Sequence, residues 1–565
     1  MKIEDIGAIS NDLSFTSQVV VVGAGPAGIV MALELSNHGF DVVLIESGKR
    51  KFDAGLQELS AAAHWDRDLH APLPLAVRRQ IGGTSSIWGG RCVPYDPIDF
   101  RERPYVETSP WPVTYEEMRA YFQRACDWFV CGRPIFNAAQ IPNLPKSIVP
   151  GLVDGGVTAS DLERWSLPTD FGTTYAKDLE NRPRLRIFSG VTATKILCKE
   201  ESDTAEGIEG RTLGGGKVVF TAARVVIACG GLESTRLLLD SPGPRGGALG
   251  GESGHLGKWY MAHLEGTLAK VQFVTDPKLT IFGYERDIDG TYIRRRFGFT
   301  EEFQLKYRLP NITGWITNPE LADASHSSGE LSFAYLALAS KLGPMFAPDA
   351  QRLSLTGVNI PGTPYGHSPI SSKKEHVKNL AKNFIPTAKF MASFGARRLL
   401  ARKRRMPGFF VRSEDNVYPL QYHGEHLPNA ESCVSLSREQ DQLGRRKLDI
   451  RLRFTEQDID GVVRAHRHWD DHFRSLGIGR LIYPNGDPFE IVKDRSGGGF
   501  HQIGTTRMAE NPSDGVVDGN LAVHGVKNLH VVSSSTFVTS GQANSTFMIV
   551  AFAVRLADHL RGLPR

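Results

Sequence analysis

The stretch Val19–Gly48, VVVVGAGPAGIVMALELSNHGFDVVLIESG, constrains the fold more than any other part of the chain. It places an apolar strand, a glycine turn, a helix and a second strand ending in an acid within thirty residues. Gly23, Gly25 and Gly28 have the spacing G-x-G-x-x-G. The first glycine permits the tight turn, the second lets the backbone approach a pyrophosphate, and the third allows close packing of helix on strand. Phosphate then sits at the helix N-terminus. Glu46, eighteen residues after Gly28, ends the second strand, where a carboxylate accepts hydrogen bonds from a ribose diol and repels a 2′-phosphate. The unit therefore predicts a dinucleotide site and disfavours NADP; the bland alternative is a βαβ unit with an empty turn.

At 565 residues the chain exceeds the size of a single hydrophobic core, so at least two domains are expected. A net charge of +4 over 128 charged residues gives no case for nucleic acid. The most cationic stretch, Arg397–Arg405 (RRLLARKRR), follows an amphipathic run from His376. It fits an anionic membrane surface or another subunit, though a solvated helix face or mobile insertion is the simpler reading. Six cysteines show no C-x-x-C pair and no zinc spacing, which predicts thiols in a reducing compartment and no metal. The acidic N-terminal stretch has no apolar h-region, and the late apolar run Phe547–Val554 is too short to span a bilayer, so a cytoplasmic protein without a membrane span is expected.

The glycine-rich segment RRQIGGTSSIWGGR, Arg78–Arg91, predicts an irregular loop. Thr114 and Glu117 form a capping-box pattern before a helix with Met118, Phe122, Ala125 and Phe129 on one face. A strand-rich region from Arg184 to Phe220 leads to a buried strand, Val225–Ala228, and a Gly230-Gly231 turn into a helix. From about 263 to 495 the pattern alternates, as in Lys447–Phe454, where Leu448, Ile450, Leu452 and Phe454 share one face of a half-buried antiparallel strand. Residues 341–374 hold five prolines and four glycines with little periodicity, which predicts a functional loop, lid or disorder. A last helix is expected from about Thr546 to Arg561.

With these pieces the chain resembles the glucose–methanol–choline (GMC) oxidoreductase family over nearly its whole length. The N-terminal fingerprint with Glu46 matches the family's ADP-binding segment, Gly82–Gly90 its loop over the flavin, and VVIACGGLESTRLLL its second FAD strand and turn. The fourth block is the most specific: HQIGTTRM from His501, GVVDGNLAVHGVKNLHVV, and SGQANSTFMIVAFAVRLADHL. The resemblance implies a mixed α/β fold, with a Rossmann-like FAD domain of residues 1–105, 181–262 and 496–565 and a substrate domain of 106–180 and 263–495 built on a large antiparallel sheet. It implies noncovalent FAD held by Gly23, Gly25, Pro26, Ala27, Gly28, Glu46, Ser47, Arg78, Gly82, Gly83, Thr84, Ser85, Trp88, Gly89, Gly90, Val191, Ala228, Gly230, Ser535, Asn544, Ser545 and Thr546. Trp88 and the G-x-A-N ending at Asn544 resemble the pyranose-oxidising and bacterial glycoside-oxidising branch. Ile87 stands where covalent members carry a flavin-linked histidine, and isoleucine cannot form that bond.

In the family a histidine and a histidine or asparagine face flavin N5, and the matching positions are His501 and Asn544. An imidazole with an ordinary pKa of about 6.5 is a proton acceptor near neutrality, and an amide can orient a substrate oxygen. His423, Glu425 and His426 in QYHGEHLPN, and Gln542, are weaker candidates for substrate contact, and Trp315 with residues 341–374 is a candidate lid. The expected reaction is oxidation of a C2 or C3 secondary hydroxyl of a sugar or glycoside, with oxygen or a quinone-type compound as acceptor, by a monomer or dimer. Sterol or choline oxidation and a non-catalytic FAD-binding electron-transfer subunit are the alternatives.

Overall fold

A computed structural model describes residues 3–108, 110–145, 147–166, 169–199, 202–244, 246–357, 370–401 and 404–563. Part of the expected lid, 358–369, and positions 402 and 403 of the basic stretch lie outside the described residues.

The opening unit folds as its sequence dictates. Strand Leu13–Val22 ends in four buried valines, helix Pro26–Asn37 follows, and strand Val42–Glu46 lies buried on both faces, as parallel strands covered by helices must be. A Cβ at Gly28 would stand 1.7 Å from the Gly23 carbonyl oxygen, so only glycine lets the helix lie this close to its strand. In this first sheet the strands run Glu4–Asp5, Leu185–Ser189, Val42–Glu46, Leu13–Val22, Lys217–Ile227, Ala205–Thr212, Val191–Cys198, and Leu529–Val531 pairs alongside Lys217–Ile227. The first five and Leu529–Val531 are mutually parallel; the excursion through Ala205–Thr212 and Val191–Cys198 is antiparallel. Helix Thr546–Gly562 packs across Pro26–Asn37 and buries Phe547, Val550, Val554 and Leu556.

A second eight-stranded sheet forms a roof. Its main path is Gly479–Ile482, His263–Phe273, Val417–Glu425, Ile312–Ile316, Tyr292–Phe299, Val157–Trp165 and Arg91–Cys92, with antiparallel pairing throughout. Helix Glu456–Ser475 supports it, burying Trp469 and Phe473 in a core separate from that of the first sheet. The strand Arg91–Cys92 belongs to this roof although its chain neighbours belong to the cavity loop, so the two sheets interlock where the site forms.

Several local expectations are corrected. The alternating segment from Lys447 is a strand only to Arg451, and it sits in a small third sheet between Cys433–Gln440 and the parallel strand Ala63–Trp65. The helix after Thr114 breaks into Tyr115–Arg119 and Phe122–Phe129, with Met118, Phe122, Ala125 and Phe129 all buried as its spacing predicts. Thr114 caps the Glu117 amide at 3.2 Å, but the Glu117 carboxylate pairs with Arg555 rather than returning to the cap. The described part of 341–374 is largely helical: Pro348 caps Asp349–Thr356 and Gly357, at φ 63°, ends it. Proline and glycine there punctuate a helix, a use that composition alone does not separate from a loop. No described helix is long and apolar enough to cross a membrane.

Candidate active site

Three helices aim their N-termini at one cavity. Pro26–Asn37, Gly231–Leu239 and Thr546–Gly562 begin at Gly25, Gly230 and Ser545, none is capped by a side chain, and all three cap residues line the same cavity. Each leaves backbone N–H groups without intrahelical partners and a partial positive charge at its end, so the convergence suits a diphosphate. A Cβ built on Gly25 or Gly230 meets nothing within 4 Å, leaving room for a ligand against the backbone. Together with the Glu46 carboxylate and a cavity wall of Val22, Ile45, Val191 and Ala228, this donor set fits an FAD-sized dinucleotide.

Of the positions expected to hold cofactor, Gly23, Gly25, Pro26, Ala27, Glu46, Ser47, Arg78, Gly83, Thr84, Ser85, Trp88, Val191, Ala228, Gly230, Ser545 and Thr546 line the cavity. Gly28, Gly82, Gly89, Gly90, Ser535 and Asn544 do not. Gly28 faces the Gly23 turn, Gly82 lies against Gly172, the Gly90 carbonyl accepts from Ser166 N at 2.7 Å, and Ser535 Oγ is bonded to Thr506 and Ser533. The cavity loop is pressed onto the glycine turn: a Cβ at Gly83 would lie 2.8 Å from Gly25 Cα. Trp88 is pinned by its indole N–H donating to Thr169 O at 3.1 Å and by the Phe129 ring 5.4 Å away.

Glu46 has a second task that its sequence position does not reveal. Its two oxygens accept from Ala24 N and Gly48 N, each at 2.7 Å, fixing both ends of the turn. Burial pushes its carboxyl up, while the two amides and Arg79 pull it back. Each oxygen keeps a lone pair beyond these bonds, and the side chain still lines the cavity, so holding the turn adds to the expected ribose contact. Arg79, Ser60, Glu233 and Arg445 also line the cavity and were not singled out in the sequence; Arg79 binds Ser47 and Glu233, and Arg445 binds Glu233.

At the roof end of the cavity the structure brings His501, which lines it, together with Asn544. Asn544 Nδ2 lies 2.9 Å from His501 Nε2, and Arg91 Nη1 donates to Asn544 Oδ1 at 2.7 Å, so the amide orientation is fixed. His501 Nδ1 lies 3.0 Å from His263 Nδ1, and His263 Nε2 lies 3.2 Å from the Ser540 carbonyl. A carbonyl only accepts, so His263 carries its proton on Nε2 and presents a bare Nδ1. His501 then carries its proton on Nδ1 and turns a lone pair on Nε2 toward Asn544. Both tautomers follow from this hydrogen-bond network. Desolvation and then the Arg91 charge hold His501 down at about 4, and burial, with the His423 and His501 imidazoles beside it, pushes His263 well below the usual imidazole range. His501 is therefore neutral at physiological pH.

Arg91 and His263 were not identified from the sequence. Arg91 ends the glycine-rich loop, an adjacency that was a signal; His263 is brought in only by strand pairing, and nothing local marks it. Arg91 is held by Glu163 at 2.6 Å, which Arg294 also binds at 2.6 Å, and lies over Trp315. Trp315 is thus part of the buried roof under two arginines, not a lid.

The weaker substrate candidates separate. His423 is at the cluster, its ring stacked 4.2 Å from His263 and 5.7 Å from His501, with Nδ1 bonded to Gln542 O at 2.6 Å. Glu425 is not available: both its oxygens are bound by Arg103 at 2.6 Å, with Asn311 N also donating, in a fully buried ion pair. Gln542 turns its side chain to Asp96 and a different pocket. His426 is spent on Arg453 O and Ala262 N.

His263, His423 and His501 place ring nitrogens within 4.8 Å of one another. The His263 and His423 planes are only 27° apart and stacked, so their in-plane lone pairs run side by side rather than converging as metal ligands do. The cluster reads as a neutral hydrogen-bonded relay.

Comparison with known proteins agrees with this geometry. Residues 18–370 match the family model described as FAD dependent oxidoreductase, and 428–553 match the model described as GMC oxidoreductase. A 2-methyl-1,2-propanediol dehydrogenase from Mycolicibacterium austroafricanum is 23% identical, covering 96% of this chain and 95% of that protein. An oxygen-dependent choline dehydrogenase from Vibrio vulnificus is 25% identical over 40% of this chain and 47% of its own. Among solved structures, pyridoxine 4-oxidase from Mesorbium loti superposes with a TM-score of 0.53 at 18% identity, covering 97% of this chain and 100% of that one. A variant of Aspergillus oryzae RIB40 formate oxidase, studied for its FAD modification, gives 0.52 at 17% identity over 97% and 98%. At these identities the superpositions show a shared fold.

Proposed function

The chain belongs to the GMC family of FAD-dependent oxidoreductases, which act on the CH–OH groups of alcohols, and from that premise we propose that it oxidises a ring secondary hydroxyl, at C2 or C3, of a sugar or glycoside to a ketone. FAD bound in the cavity supplies the hydride acceptor. A substrate hydroxyl takes the place of the Asn544 amide at His501 Nε2 and gives up its proton there. Asn544 Nδ2 then donates to the substrate oxygen and, anchored by Arg91, holds the carbinol carbon in place. When His501 accepts the proton on Nε2, its Nδ1–H goes on donating to His263 Nδ1, so the imidazolium stays oriented and hydrogen-bonded. The single observation carrying this reading is that His501 is held neutral, in one tautomer, with its free nitrogen beside Asn544.

The roof supports a polyhydroxylated substrate. Arg91, His423, His501 and Asn544 offer hydrogen bonds that a sterol would leave unpaired, and a quaternary ammonium would meet the Arg91 guanidinium. A short diol, as named for the Mycolicibacterium relative, is the second reading, since its two hydroxyls could use the same groups. We propose that FAD is noncovalent, because Ile87 gives no attachment point, and that oxygen or a quinone-type compound reoxidises it. Product analysis by NMR after incubation with glucosides, glucose and short diols tests the assignment. A ketone at C2 or C3 supports it; turnover of diols alone, or a C1 lactone, replaces it.

A further inference from the structure

The chain's charge is unevenly placed. Between Ile370 and Arg405 the sequence carries eleven lysines and arginines against the single acid Glu375, a local charge of +10 in a chain whose total is +4. The rest of the sequence is net acidic, so positive charge is concentrated in this segment.

The same segment is where apolar side chains stand in water. Helices Lys373–Lys382 and Phe384–Gly395 pack their inner face on helix Gly329–Leu338: His376 stacks on Tyr335, Asn379 binds Ala324 O and Ser332 Oγ, and Asn383 binds Ser327 O. Their outer face shows Phe384 at 70% and Ile385 at 65% exposure with Val377, among the exposed Lys374, Lys378, Lys382 and Lys389. Met345, 80% exposed, comes from the adjoining part of the same insertion.

We infer that this helical insertion is a peripheral docking face for an anionic lipid bilayer. Aromatic and aliphatic side chains flanked by lysines suit the boundary between headgroups and acyl chains, where lysine stems lie along hydrocarbon and their ammonium groups reach the phosphates. A second copy of the same face is disfavoured because its exposed lysines would meet the same lysines. A nucleic acid would satisfy the lysines but leave Phe384 and Ile385 unburied. Another part of the insertion reaches the cavity loop: in helix Asp349–Thr356, Gln351 Nε2 donates to Ile87 O at 3.5 Å.

Sedimentation of the FAD-loaded full chain with vesicles tests the inference, using phosphatidylcholine alone and phosphatidylcholine mixed with phosphatidylglycerol. The wild type should pellet with the anionic vesicles only and be released by high salt. F384S/I385S and K378E/K382E should each lower the bound fraction at least about ten-fold, the scale expected from removing two interfacial anchors or reversing two basic charges. Both variants should keep the wild-type Tm and rate of flavin reduction, since none of these residues touches the cavity. Failure to bind anionic vesicles, equal binding to neutral ones, or a wild-type oligomer that F384S/I385S dissociates would each overturn it.

Discussion

Replacing His263 with alanine tests how the base is set. The His501 Nδ1 proton has one acceptor, His263 Nδ1 at 3.0 Å, and losing it leaves a donor unpaired inside the protein. That costs about 1–3 kcal/mol, which the imidazole can escape by moving its proton to Nε2, the nitrogen needed as base. Either route takes about 1–3 kcal/mol from the transition state, or roughly a 5- to 150-fold loss in the rate of flavin reduction. Anaerobic stopped-flow absorbance at saturating substrate measures it, with flavin content matched to wild type. His263→Asn supplies a side-chain oxygen as acceptor and should recover part of the rate, which a merely structural defect would not show. Reduction by His263→Ala within twofold of wild type would refute the argument.

Other expectations follow from the same contacts. Acid precipitation should release yellow FAD into the supernatant; a yellow pellet would show a covalent link. Glu46→Ala should lower both flavin retention and thermal stability, because two amides lose a charged acceptor worth about 1.5–3 kcal/mol each; an unchanged Tm would contradict this. With His501 held at about 4, the rate of flavin reduction should rise with pH through about 4 and be level near neutrality, and a midpoint near 6.5 would contradict the role given to desolvation and Arg91. Burial also depresses His70 and His466 to about 4 and His530 to about 3. The unfolded chain therefore takes up these protons first, so stability is full above about pH 6.5 and falls toward pH 4, by about 2 kcal/mol per histidine at pH 5. His530→Gln should flatten the fall in Tm with acid, and an unchanged slope would remove His530 from that account.

What could be read in advance was local. Val19 to Gly48 contains its own turn, helix and strands, and His501 and Asn544 sit in motifs, so all were legible. The roof was not, because strand pairing assembles it: His263 and His423 lie on neighbouring strands, with His263 opposite Glu425 and Glu265 opposite His423. Glu425 looked like a substrate contact because its partner, Arg103, is 322 residues away. Glu46 was read for its ribose role alone because the backbone N–H donors it binds leave no trace in a sequence. In 341–374 the prolines and glycines were read as loop when some of them mark helix ends.

The central claim is that His501, held neutral at the end of an FAD cavity, takes the hydroxyl proton of an alcohol while the same carbon gives up a hydride. Anaerobic mixing of the FAD-loaded protein with a glucoside, in its ordinary form and deuterated at the oxidised carbon, tests it most directly. The account predicts bleaching of the flavin by wild type, a slower rate with the deuterated substrate, and a loss of about 10²–10⁴-fold in His501→Ala. Bleaching by His501→Ala at near-normal rates, or a wild-type flavin that no sugar, glycoside or other alcohol bleaches, would contradict it.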